Sequence, residues 1–297
     1  MDGVIIVDKP AGWTSHDVVA KLRGVLRVKR VGHGGTLDPM ATGVLPVFVG
    51  RATRAAGFLT NAGKEYIAGL RLGIATDTQD ITGKMLSACD AAINAEELAA
   101  AISAEELTAA IPRFLGPQKQ VPPMYSAVRH EGEKLYELAR RGIEVEREAR
   151  EVFISEIELI GEGGKNEFML RVACSKGTYI RTLCHDIGAA LGCGGAMSSL
   201  RRTVSGAFDV SMAYPLDAVL DAVSSGEAGR IMRPLDSVFT EYPAATLDGD
   251  QTRRCKNGAR CGTGGIPDGK YRFYDPDGEF FLFGEAVNGE IKTIKRF

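Results

Sequence analysis

Between residues 32 and 45 the chain reads Gly32-His33-Gly34-Gly35-Thr36-Leu37-Asp38-Pro39-Met40-Ala41-Thr42-Gly43-Val44-Leu45. The four glycines let the backbone turn sharply and approach a ligand closely. Pro39 fixes its own φ and biases Asp38 away from the helical region. A carboxylate on a stiff loop beside a histidine suits a nucleophile or a general acid/base. An isolated Asp-Pro turn is usually structural, so the loop needs support from elsewhere in the chain. Glycine-rich turns also cradle phosphate, but the Lys-Ser/Thr ending of a P-loop is missing here.

With 297 residues, the chain can bury one large core and a smaller one. No apolar run reaches the length of a membrane span. The opening Met1-Asp2-Gly3 leads into a short apolar run closed by Asp8-Lys9-Pro10. That pattern is a strand rather than a secretory signal, so a cytoplasmic protein is expected. The six cysteines, at 89, 174, 184, 193, 255 and 261, form no C-x-x-C pair. Their spacing suits neither a zinc cage nor a disulfide framework. Buried thiols in a reducing compartment are expected, although Cys255 and Cys261 are close enough to meet in a hairpin. Histidines 16, 33, 130 and 185 lack ligand spacing, and neither metal nor cofactor is expected.

The formal net charge of −2 does not announce a nucleic-acid binder, but its distribution is uneven. Residues 16–54 carry seven Lys/Arg against two Asp, and residues 171–202 carry five against one. Residues 77–107 carry seven acids against Lys84. A near-neutral total can hide a basic face that meets phosphates. Both basic stretches are therefore expected on a phosphate-facing surface, with the acidic one elsewhere.

Hydrophobic periodicity organises the chain. Val4–Val7 and Val44–Val49 read as strands. Thr14 or Ser15 caps a helix with apolar positions 18, 19, 22, 25 and 26. Lys64–Leu72 alternates, placing Tyr66, Ala68, Leu70 and Leu72 on one face. Residues 92–98 and 101–107 nearly repeat each other, each with a capping-box signature. The second copy should start a helix that ends before Pro112. Residues 117–150 form a charged excursion with a helical run from Lys134 to Arg141. Phe168–Val172 is a strand leading through a turn into a helix with apolar positions 180, 183, 184, 187 and 191. Arg181 lies in that helix's first turn, where a cation gains nothing from the dipole, which points to a specific anionic partner. Thr76–Asp80 reads as a turn network and lacks the alternation of a calcium loop. From about residue 239 short β-like runs alternate with Gly/Asp turns.

Several blocks, in order, resemble the TruB family of bacterial tRNA pseudouridine-55 synthases. They are Gly3–Val19, Gly32–Leu45, Lys64-Glu65-Tyr66 with Gly73–Asp80, Pro122–Val128, Tyr136–Gly142, Cys174–Arg181 and Leu200–Thr203. The resemblance implies an α+β pseudouridine-synthase fold, a mixed and largely antiparallel sheet flanked by helices. It implies a catalytic domain over 1–238, with a thumb-like RNA-gripping insertion at about 113–150, and a small β-rich PUA-like domain over 239–297. The implied activity is isomerisation of a T-loop uridine of tRNA, flipped from its stack, which typically costs a few kcal/mol.

By the same resemblance Asp38 is the catalytic carboxylate, Arg181 its ion-pair partner, and Tyr66 the tyrosine that stacks on the base and helps remove the C5 proton. A phenol is a weak base near neutrality, with an ordinary pKa of about 10. His33 supports the place vacated by the flipped nucleotide and Leu200 lines the pocket. Tyr179, Lys64 and Thr36 complete the substrate-binding set. The implied partner is the tRNA T-stem-loop, met by a monomer without an obligate protein partner or a membrane. Two alternatives stay open at this point: a tRNA-folding protein whose catalysis is secondary, and a relative that works with a guide RNA.

Overall fold

The computed structural model describes residues 1–86 and 102–297. The first copy of the repeat, at 92–98, and Cys89 lie outside the described residues.

Along the chain, β1 (Gly3–Lys9) is buried at six of its seven positions. Helix α1 (Ser15–Leu26) follows, capped by Thr14 and Asp17 in a reciprocal capping box, the arrangement that satisfies two otherwise orphaned backbone donors. Val18, Val19 and Leu22 supply its buried stripe. Next come β2 (Val31–His33), β3 (Thr42–Val49), the short α2 (Ala56–Asn61) and β4 (Lys64–Leu72). Ser103 and Glu106 form the expected capping box on α3 (Ala104–Ala110). Strand β5 (Gly116–Gln120) leads to a hairpin of β6 (Arg129–His130) and β7 (Glu133–Lys134), then α4 (Leu135–Arg140). Long β8 (Arg150–Gly164) and β9 (Glu167–Cys174) precede α5 (Ile180–Ala190) and β10 (Gly195–Ser205). The chain then runs through β11 (Phe208–Asp209), β12 (Tyr214–Pro215), α6 (Leu216–Ser224), α7 (Ala228–Ile231) and β13 (Met232–Arg233). It ends with β14 (Ala244–Thr246), α8 (Gly249–Asn257), β15 (Gly269–Tyr274), β16 (Phe280–Val287) and β17 (Glu290–Arg296).

These elements group into two compact units. One comprises Met1–Asp38, Val44–Thr60 and Gly206–Phe297; the other comprises Pro39–Gly43 and Asn61–Ser205. In the first, β1 lies between β12 and β3, and β2 pairs antiparallel with β3. The same unit carries a four-stranded sheet in the order β14-β15-β16-β17, the small C-terminal β domain expected from the turn-rich sequence. Leu247, Cys255, Cys261, Phe273, Phe281, Leu282 and Ile291 form its core. Cys255 lies in the last turn of α8, so these two cysteines meet beyond a helix end rather than in a hairpin. They are free thiols, and burial pushes Cys255 up to about 12, with Cys261 beside it adding to the shift.

The second unit is built on antiparallel pairing in the order β10-β4-β9-β8-β5. Fold and class agree with the expectation of a mixed, largely antiparallel α+β protein. The central pair is the long register of β10 on β4, which sets Leu200 opposite Ala68 and Arg202 opposite Tyr66. On its other side β10 meets the first two residues of β3 in parallel, Arg201 with Thr42 and Arg202 with Gly43. Only glycine fits that crossing. Gly43 has φ +100°, and a Cβ there would lie 2.2 Å from the Arg202 carbonyl oxygen.

Gly43→Ala should therefore lower unfolding free energy by roughly 2–4 kcal/mol, combining backbone strain with a backbone clash. Gly12, at φ +82° with nothing within 4 Å of the place a methyl would take, is the control. Gly12→Ala should cost only about 1 kcal/mol. Denaturant melts of the two variants give the comparison, and equal losses would contradict the close approach.

Candidate active site

The Asp38 loop is clamped from α1. Ser15, the first helical residue and almost wholly buried, accepts from the Leu37 amide at 2.8 Å. Its hydroxyl also lies 3.2 Å from the Leu37 carbonyl, to which it donates. The residue immediately before the carboxylate is thus fixed on both backbone groups. Leu37 is buried while Asp38 and His33 are half-buried and Thr36 is exposed. His33 ends β2, accepts from the Gly35 amide through Nδ1 at 3.4 Å, and packs edge-on against His16 at 5.3 Å. Lys9, fully buried, donates to the carbonyls of Pro10 and Trp13 at 2.9 and 2.6 Å. Those bonds tie the turn after β1 to the strand end.

In the second unit, Lys64 and Tyr66 lie on β4, Leu200 on the neighbouring β10, and Tyr179 and Arg181 at the start of α5. Lys64 and Tyr66 share a face of β4, two residues apart. Lys64 is buried and donates to the Ala62 carbonyl at 2.6 Å. Burial, reinforced by the nearby charge of Arg202, lowers its pKa to about 8. Tyr179 caps α5, and its backbone is gripped by Gln120, which accepts from its amide at 2.9 Å and donates to its carbonyl at 3.2 Å. Leu200 is 9% exposed.

Arg181 is the most constrained cation of the set. Only 5% exposed, it lies 3.6 Å from a carboxylate oxygen of Asp80. It donates to the Thr78 carbonyl at 3.2 Å and to the Tyr125 carbonyl at 2.8 Å. Asp80 is itself held by the hydroxyls of Thr78 and Thr82 and by the Thr82 amide. Thr76 donates to the Asp80 carbonyl at 2.7 Å, completing the turn network. Sequence reasoning recognised this turn but gave Asp80 no link to Arg181. The signal was available, since a buried first-turn arginine requires an anion and an acid lies in another matched block.

In the basic stretch 171–202 three of the five cations are buried or ion-paired, while Lys176 is exposed and Arg201 half-buried. Arg181 and Arg202 are buried, and Arg171 is engaged by Glu65, Glu156 and Glu158. Charge counts along a strand that alternates between faces do not distinguish internal from external cations. In the other stretch, Lys21, Arg23, Arg27, Lys29 and Arg30 are exposed, as a phosphate-meeting surface requires. Of the acidic stretch, Asp90, Glu96 and Glu97 lie outside the described residues, while Asp80 is buried against Arg181.

Residues 121–149 have a miniature core of Met124, Leu135 and Leu138, with Tyr125, Val128, Ala139 and Val145 packed against it. Beside it lies a cavity of about 480 Å³ lined by residues that include Arg129, His130, Arg147 and Arg150. Among the described residues no group of three or more His, Cys, Asp or Glu could hold a metal ion. None of their helices is long and apolar enough to cross a membrane.

Comparison with solved structures gives the class. The chain superposes with a TM-score of 0.73 on a chain of a Cbf5-Nop10-Gar1 complex, at 27% identity, covering 99% of this chain and 84% of that one. A chain of an H/ACA RNP bound to a substrate RNA containing 2′-deoxyuridine gives 0.72, at 26% identity and with the same coverages. The fold is that of the pseudouridine synthases.

A model of the TruB family pseudouridylate synthase N-terminal domain matches residues 23–180. A model of the tRNA pseudouridylate synthase B C-terminal domain matches residues 181–240. The tRNA pseudouridine synthase B of Syntrophomonas wolfei is 43% identical, over 99% of this chain and 96% of that protein. That of Azoarcus sp. strain BH72 is 40% identical, over 98% and 93%. The chain belongs to the TruB family of pseudouridylate synthases.

The buried Lys64 gives a pH signature. Its folded pKa of about 8 lies below the ordinary 10.5, so between those values the unfolded chain binds more protons. Stability contributed by this site must rise with pH through that window. Against Lys64→Met, the wild-type protein should gain roughly 2–3 kcal/mol between pH 8 and 10.5. Parallel stability curves for the two proteins would show that the lysine is not desolvated.

Proposed function

We propose that this protein converts the T-loop uridine at position 55 of tRNA to pseudouridine, with Asp38 as the catalytic carboxylate. The observation that carries the reading is identity of 40% or more, over nearly the whole chain, to proteins named tRNA pseudouridine synthase B. The Cbf5 chains share its fold at 26–27% identity, which favours a standalone enzyme over a guide-RNA-dependent one. In this reading residues 1–238 form the catalytic domain, residues of about 113–150 its RNA-gripping insertion, and 239–297 a PUA-like domain. The enzyme acts in the cytoplasm as a monomer on the T-stem-loop.

The chemistry follows from the residues. The N1–C1′ bond breaks, the base turns, and C5 bonds to C1′. The C5 proton then leaves and N1 takes one up, so atoms and electrons balance without redox or phosphoryl transfer. Asp38, on a loop fixed through Leu37, must be ionised to act as nucleophile or stabiliser, and an adjacent guanidinium favours that form. Arg181 takes this role. The Asp80 carboxylate and two backbone carbonyls hold its guanidinium in place. Tyr66 stacks on the flipped base and accepts the C5 proton. Leu200 and Tyr179 wall the base pocket, Lys64 and Thr36 contact the substrate, and His33 occupies the gap left in the RNA.

Asp38→Asn removes the charge with almost no change of shape. Tritium release from C5-labelled uridine in tRNA should fall to background, while tRNA binding stays within a few-fold of wild type. Near-normal release would reject the assignment.

Reversing Lys29 and Arg30 to glutamate tests the basic turn between α1 and β2 without touching the chemistry. The log–log slope of tRNA affinity against salt should become shallower by about 0.7–0.9 for each phosphate that is no longer neutralised. An unchanged slope and affinity would make this ordinary solvated surface.

A further inference from the structure

Arg202 has no role in the chemistry above, yet it is the largest fully buried side chain among the described residues, at 1% exposed. Burying a guanidinium is expensive unless it is partnered. Two pairings fix where it sits. On one side Arg202 lies directly opposite Tyr66 in the antiparallel register of β10 with β4. Such opposed residues have Cβ atoms roughly 5 Å apart. On the other side its backbone meets Gly43, at the crossing that admits no side chain. The guanidinium hydrogen-bonds the Tyr66 side chain, and the charge of each affects the other.

We infer that Arg202 is a positioning residue for the isomerisation, holding the Tyr66 phenol and supplying the positive charge that lets it accept the C5 proton. The inference rests on the proposed role of Tyr66 and adds a cause for it. An unassisted phenol is mostly protonated near neutrality. A cation that hydrogen-bonds the ionised oxygen favours that form. Burial pushes Arg202 downward, but a guanidinium starts so high that it stays charged at working pH. In the step itself the proton moves from C5 to the phenolate oxygen. The C5–H electron pair re-forms the C5–C6 double bond, and N1 takes up a proton.

Of the other ionisable groups in this site, the Arg181 guanidinium is engaged by Asp80 and two backbone carbonyls, and the rest do not supply this charge as well. Lys64 shares its face of β4, but burial lowers its pKa to about 8, so it is partly neutral in the alkaline range. Cys174, opposite Lys64 on β9, is raised to about 11 by burial and is neutral. Val172, opposite Tyr66 on β9, has no charge. Glu65 points to the other face, where Arg171 and Thr203 engage it. Lys176, in the turn after β9, is exposed and bonded to Asn61.

The test reads Tyr66 directly. Phenolate ultraviolet absorbance is followed against pH for wild type, Arg202→Gln and Arg202→Lys, each minus its Tyr66→Phe counterpart. Single-turnover rates on unmodified tRNA are measured over the same pH range. In Arg202→Gln, Tyr66 should titrate higher by about one pH unit or more, and the rise of rate with pH should shift by the same amount. Arg202→Lys, which keeps a charge and is the milder change for folding, should fall between the two. A Tyr66 titration unmoved in the folded variants would overturn the inference. A titration that moves while the pH–rate curve stays put would overturn the proton-accepting role of Tyr66, and the positioning role of Arg202 with it. Asp38→Asn would still abolish turnover in that case, so the wider assignment is judged separately.

Discussion

The burial of Arg181 organises the unit built on β10, β4 and β9. A guanidinium taken out of water must recover its lost hydration from fixed partners, because an unpaired buried charge costs several kcal/mol. Here the partners come from two segments distant in sequence from α5: the Asp80 carboxylate and the Thr78 carbonyl from one, and the Tyr125 carbonyl from the other. The turn after β4, the Pro122–Ser126 segment and α5 are therefore held to one point. Asp80 can serve only because Thr78 and Thr82 orient it. Satisfied in this way, the network specifies one arrangement of the chain, since any slip would orphan several polar groups together.

The sheet repeats the logic on a second cation. The pairing of β10 with β4 sets Arg202 opposite Tyr66, and Gly43 lets β3 close against the same residue. Preorganisation of this kind suits the isomerisation proposed above. Donors and charges already aimed where charge develops do not have to reorganise as the reaction proceeds. Within the first unit, the loop before Asp38 is held in the same manner, with Leu37 fixed through both its amide and its carbonyl.

Much of this was legible in the sequence, for identifiable reasons. Helix starts follow from capping chemistry, so Thr14 with Asp17 and Ser103 with Glu106 marked their helices. Alternation marked β4, and the glycine-rich carboxylate loop marked the candidate site. What stayed hidden depends on cross-strand register and burial. Arg202 reads as one of two adjacent arginines until the pairing sets it opposite Tyr66. Arg171 counts as a surface charge until Glu65, Glu156 and Glu158 converge on it. The Asp80–Arg181 pair joins residues about a hundred positions apart, a distance at which local pattern carries no information.

That this chain alone rearranges one uridine of the tRNA T-loop is tested by nucleoside mapping of unmodified tRNA after incubation with the purified protein, with a chelator present and no other protein or RNA added. The expected result is stoichiometric pseudouridine at position 55 and at no other uridine. Bound tRNA recovered with all its uridines intact would contradict the account and favour a tRNA-folding protein instead.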